Sequence, residues 1–93
     1  MLSYTAHSLE KLEKLFSKLG YRVRYEKGNF KTGACILQNT KVVVVNRFLD
    51  VEAKIHSLMG LLNGIEPEDE RIEALDEKEK QLLLRIKQTK LEI

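Results

Sequence analysis

Leu9, Leu12, Leu15, Phe16 and Leu19 recur at helical spacing, with Glu10, Lys11, Glu13, Lys14 and Lys18 between them. That spacing gathers the apolar groups on one side of a helix, so residues 8–19 read as an amphipathic helix. Thr5 or Ser8 supplies a hydroxyl to cap its start, and Gly20 tolerates the left-handed backbone that stops it. The period then changes to two. Tyr21, Val23 and Tyr25 alternate with Arg22 and Arg24, the pattern of a strand with one face on a core and one in water.

Lys27, Gly28 and Asn29 provide turn chemistry, and Gly33 opens a second strand that runs to about Leu37 or Gln38. Asn39 and Thr40 turn the chain into residues 41–47, where Val42, Val43, Val44 and Val45 are consecutive β-branched residues. Stiff side chains of this kind suit a pleated strand, and an unbroken apolar run puts non-polar groups on both of its faces. Asp50 can cap a second helix carrying Val51, Ile55, Leu58 and Leu62, which Asn63 and Gly64 end. An acidic connector, residues 65–76, follows, where Pro67 suits either a first helical position or a stiffened extended segment, the second being preferred. Asp76 and Glu79 have capping-box spacing ahead of a last helix, about residues 77–90, whose apolar face is Leu82, Leu83 and Ile86. Lys87 and Lys90 lie near its negative end.

The element order is α-β-β-β-α-α. Short turns between the strands predict an antiparallel meander, because parallel neighbours need a crossover of a dozen or more residues. The expected fold class is α+β: one domain over residues 1–93, with its core in about residues 8–63, built as a two-layer sandwich of a three-stranded antiparallel meander and the helices packed on it. A meander leaves its third strand at an edge, and a long apolar edge invites pairing. Two arrangements relieve this. Another segment of the chain pairs with the strand, or Val42, Val43, Val44 and Val45 form a self-association edge with the same strand of a second copy, giving a two-fold homodimer.

Length and composition narrow the function. The chain has 93 residues, 43% hydrophobic and 32% charged, enough apolar surface for one modest core and too little chain for a deep enclosed substrate cavity. The first residues lack the charged and apolar regions of a signal peptide, and no apolar run approaches the ~18–20 residues that span a bilayer. A cytoplasmic protein without membrane association is expected. Cys35 is the sole cysteine; in a strand it reads as a small buried hydrophobe, and no internal disulfide can form.

The charge is unevenly spread. Between Tyr21 and Arg47 lie Arg22, Arg24, Lys27, Lys31, Lys41 and Arg47 against Glu26 alone. From Ile65 to Glu79, Glu66, Glu68, Asp69, Glu70, Glu73, Asp76, Glu77 and Glu79 face only Arg71 and Lys78. Either the two blocks neutralise each other, or Arg22, Arg24, Lys27, Lys31 and Arg47 form a polyanion-binding face, with Phe30 available for stacking. A net charge of +2 is low for a dedicated nucleic-acid binder.

Catalytic constellations are absent from the sequence. His7 and His56 are far apart and Cys35 stands alone, so no metal-ligand spacing occurs. Ser57 beside His56 is not a triad, since adjacent helical residues point apart. Gly28, Gly33, Gly60 and Gly64 do not make a phosphate-cradling loop, and the acids of the connector do not follow calcium-loop spacing. No enzyme activity, metal or cofactor is expected, and His56 reads as a partly exposed packing residue.

Two resemblances bear on this. The strand at residues 42–45, Asn46 and the helix carrying His56 resemble the strand-Asn-helix core of minimal zinc peptidases, whose helix bears His-Glu-x-x-His. The corresponding run here is His56, Ser57, Leu58, Met59 and Gly60. Ser57 replaces the general base and Gly60 the second ligand, so this resemblance implies a catalytically dead relative. Residues 12–15, 19–28 and 44–50 together resemble a family of small uncharacterised bacterial proteins: a Leu-x-x-Leu helix, Leu-Gly-Tyr-x-Val-Arg-Tyr-Glu-Lys-Gly, and Val-Val-x-Asn-Arg-Phe-x-Asp entering a helix. That family has no assigned function and brings no site residues. The residues themselves favour a non-enzymatic module that binds another protein or itself, with nucleic-acid binding through the basic strand as the alternative.

Overall fold

The computed structural model describes residues 4–27, 34–37 and 40–89. Among the described residues, four helices and a three-stranded mixed sheet form an α+β domain: α1 (Ala6–Lys18), β1 (Arg22–Glu26), β2 (Ala34–Leu37), β3 (Val42–Asn46), α2 (Val51–Asn63), α3 (Asp69–Glu73) and α4 (Glu77–Thr89). Phe30, Lys31 and the turn and strand-end residues Gly28, Asn29, Gly33, Gln38 and Asn39, together with Lys90, lie outside the described residues.

Local capping sets the helix ends. Thr5 caps α1, its hydroxyl accepting the Ser8 N–H at 3.2 Å; Ser8 is instead a buried residue of the first turn. At the other end Gly20 has φ +97°. The Tyr21 N–H donates to the Phe16 carbonyl at 2.9 Å and the Gly20 N–H to the Ser17 carbonyl at 3.1 Å, the paired bonds of a Schellman turn. The Tyr21 ring meets Phe16 edge-on, 6.2 Å between centroids, so the turn also seals the core. Asp50 caps α2 through the Ala53 N–H at 2.8 Å. Both halves of the capping box form at α4: the Asp76 N–H donates to Glu79 Oε1 at 2.9 Å and the Glu79 N–H to Asp76 Oδ1 at 2.8 Å.

The sheet differs from the expected meander. Its order is β1-β3-β2. β2 and β3 form the antiparallel hairpin, with Cys35 opposite Val44, but β1 runs parallel to β3, with Arg24 opposite Val44. Residues 27–41 separate β1 from β3, which satisfies the length a parallel crossover requires, and β2 is contained within that crossover. The most apolar strand is therefore central. Val42, Val43, Val44 and Val45 do not form a free edge, because β1 and β2 occupy both sides of β3. Burying both edges of the valine run within one chain removes the exposed peptide groups that a second copy would have had to satisfy.

α1 and α2 pack together on one face of the sheet. Val43 and Val45 are fully buried there with Leu12, Leu15, Phe16, Ile55, Leu58 and Leu62. α2 also touches α4, whose Leu83 and Ile86 close the same core. The acidic connector is not wholly extended: α3 forms after Pro67, with Glu68 as its N-cap, and Ile72 and Leu75 pin it to the core. Lys87 ties the connector to α4 by donating to the Ile65 carbonyl at 2.6 Å.

Candidate functional site

Position in the sheet makes β1 an edge strand. The Arg22 N–H donates to the Lys41 carbonyl at 2.9 Å, and the Glu26 carbonyl accepts from the Arg47 N–H at 3.1 Å. Arg22 and Glu26 thus turn their peptide groups toward β3. Peptide groups alternate in direction along a strand, so Val23 and Tyr25 turn their N–H and C=O groups away from the sheet. Among the described residues nothing pairs with them.

An open groove of about 750 Å³ runs beside this edge. Glu13 and Ser17 of α1 form one wall, Tyr21, Val23 and Tyr25 line its floor, and Arg22, Thr40 and Lys41 stand at one end. The alternation of the sequence holds: Tyr21, Val23 and Tyr25 are half-buried toward the helices, and Arg22 and Arg24 are exposed on the outer face. Tyr25 is fixed from two sides, its hydroxyl donating to Glu13 and the Lys54 ammonium lying 5.1 Å from its ring centroid. Burial, together with the Glu13 carboxylate that accepts its proton in a hydrogen bond, holds the phenol well above the usual tyrosine range. Tyr25 is therefore a neutral donor across the physiological range. At the mouth, Lys41 takes φ 53°, and its ammonium lies 5.9 Å from the Tyr21 ring centroid and 3.4 Å from Glu68 Oε1.

The cations singled out in the sequence lie at several places rather than at one point. Arg22 and Arg24 share the outer face of β1. Arg24 is bridged to Glu26, whereas Arg22 has no carboxylate partner among the described residues. Lys27 and Arg47 are exposed beyond the opposite ends of β1 and β3 from Lys41, with the Arg47 guanidinium 5.4 Å from the centroid of the exposed Phe48 ring. Lys31 lies outside the described residues. The acidic block reaches the basic one at Lys41–Glu68, an exposed pair of small energetic weight.

Cys35 is half-buried on β2 and unbonded. His56 is exposed on α2, its ring tilted by 32° against Tyr4 with centroids 4.7 Å apart and its Nε2 3.8 Å from Glu52; Gly60, at the second ligand position of the peptidase resemblance, faces open space. Among the described residues no group of three or more His, Cys, Asp or Glu side chains converges as a metal site, and no helix is long and apolar enough to cross a membrane.

What reading the sequence missed is the pairing of Tyr21, Val23 and Tyr25 with Glu13 and Ser17 across a groove. The two-residue period of β1 carried half of that signal. Comparison with family models, curated proteins and solved structures finds no match for this chain.

Proposed function

We propose that the protein is a non-enzymatic interaction module that takes up an extended segment of a partner protein as a fourth strand along β1. The observation that carries this reading is the outward-facing peptide groups of Val23 and Tyr25 beside the groove under α1. Strand addition draws affinity from such main-chain groups and selectivity from pockets that receive alternate side chains. The groove provides the second element, with Val23 and the rings of Tyr21 and Tyr25 as a floor between polar walls. Strong fixation of Tyr25 by Glu13 and Lys54 keeps that floor in place before a ligand arrives, which lowers the ordering cost of binding.

Val23→Pro tests it. Proline at this position removes an outward N–H and no bond to β3, a substitution that edge strands accept. Peptides selected by display on the wild-type protein should move the amide resonances of Val23 and Tyr25 and should not bind the folded Val23→Pro variant. N-methylating alternate amides of a selected peptide gives a readout on unaltered protein: one alternate set should abolish binding and the other should not. Peptides that bind the variant as well as wild type, or tolerate N-methylation in both sets, would overturn the proposal.

A further inference from the structure

Resting on that reading, we infer that the segment β1 accepts is acidic at alternate positions: an extended peptide whose carboxylates face Arg22 and Arg24 and whose intervening apolar side chains enter the groove. Register and charge lead to this. An antiparallel strand bonded to the outward groups of Val23 and Tyr25 places a residue directly opposite Arg24 in a non-hydrogen-bonded pair, where side chains approach most closely. The residue two further along lies opposite Arg22. Opposite charges at such cross-strand positions stabilise and like charges destabilise. Arg22, exposed and without a carboxylate partner among the described residues, is the stronger determinant; Arg24 already shares its charge with Glu26. Residues opposite Val23 and Tyr25 point to the other face, over the groove that those two side chains and Tyr21 line.

The same geometry opposes the register in which a second copy of β1 pairs its own Val23 and Tyr25 with these groups. Two β1 strands bonded through Val23 and Tyr25 about a two-fold axis at Arg24 bring Arg24 opposite Arg24. Arg22 and Glu26 then pair at either end, but the centre of the interface holds two guanidinium groups in its closest contact. An acidic partner strand meets opposite charge at Arg22 and Arg24 and like charge only at Glu26, at the end of β1, where Arg24 already pairs with it.

The test uses the full chain and three probes: a capped peptide of alternating valine and glutamate, its valine and lysine counterpart, and a single-stranded oligo-dT. Affinity is read from the Val23 and Tyr25 amide shifts. The glutamate peptide should bind about tenfold or more tightly than the lysine peptide, the ratio given by ~1.4 kcal/mol, and Arg22→Glu should reverse the order. Arg22 is exposed, so this variant is expected to keep the fold, which its amide spectrum checks. Equal binding of the two peptides at the edge overturns the charge assignment and leaves strand addition standing. Failure of both, with display-selected peptides of other composition binding the edge, does the same. If no peptide of any composition moves these amides, both readings fall. Oligo-dT that binds more tightly than the glutamate peptide and is lost in Arg22→Glu assigns the face to nucleic acid and overturns the inference.

Discussion

Two glycines separate backbone need from backbone freedom. Gly20 holds φ +97°, and a Cβ there would lie 3.2 Å from the Arg71 guanidinium carbon; the residue both ends α1 and passes the chain into β1. Gly60 lies inside α2, with nothing within 4 Å of the position a Cβ would take. Alanine at Gly20 should cost ~1–2 kcal/mol from the left-handed backbone alone. Alanine at Gly60 should stabilise by ~0.5–1 kcal/mol, because glycine loses more conformational freedom than alanine in a helix. Urea denaturation should therefore move the two midpoints in opposite directions; a loss of stability in Gly60→Ala would mean that its environment is closed.

At the scale of elements, the edge position of β1 has a direct readout. Arg24 and Glu26 direct their amides to β3, while Val23 and Tyr25 direct theirs away from the sheet, where no described residue pairs with them. Hydrogen exchange should be slow at the first pair and fast at the second, by an order of magnitude or more. In β3 successive residues point alternately to β1 and β2, so all its amides should be protected. Uniform exchange along β1 would show that its outward groups are already paired. The helices meet the sheet through one layer, and the starts of α1, α2 and α4 are self-sufficient: Thr5, Asp50 and the Asp76–Glu79 box satisfy orphan amides without help from the sheet. These ends are the parts most fully legible in the sequence, since each rests on side chains within three residues of the bond they make.

In the whole molecule α2 is the hub, touching α1, β2, β3 and α4. Its Leu58 is fully buried, whereas Leu84 on α4 is 61% exposed. Leu58→Ala should cost ~2–5 kcal/mol and lower a single cooperative transition detected at the same midpoint by far-ultraviolet dichroism and tyrosine fluorescence. Leu84→Ala should stay within ~0.5 kcal/mol of wild type. Midpoints that separate in Leu58→Ala would show α4 and the connector unfolding apart from the sheet. Charge is organised at this scale too. Lys18–Glu79 and Lys41–Glu68 join the C-terminal acids to α1 and the mouth of the groove, and Arg22 has no carboxylate partner among the described residues.

Periodicity and capping are local properties, and from them the sequence alone determined the α+β class, the order of elements apart from α3, the faces of α1 and β1, and the separation of Arg22 and Arg24 from Tyr21, Val23 and Tyr25. It also required that both sides of the valine strand be covered, since four adjacent apolar β-branched residues cannot present a bare edge without inviting association. Which segment covers them was decided only by tertiary structure. A strand's neighbours depend on where the rest of the chain returns, and residues 27–41 were long enough to bring β3 back alongside β1 as well as to hold β2. That crossover made β3 central and put β2 in its place at one edge, while β1 is the other edge in either order. Tertiary packing also placed β1 beside α1, and only there did Glu13, Ser17 and the alternating tyrosines become the walls and floor of one groove.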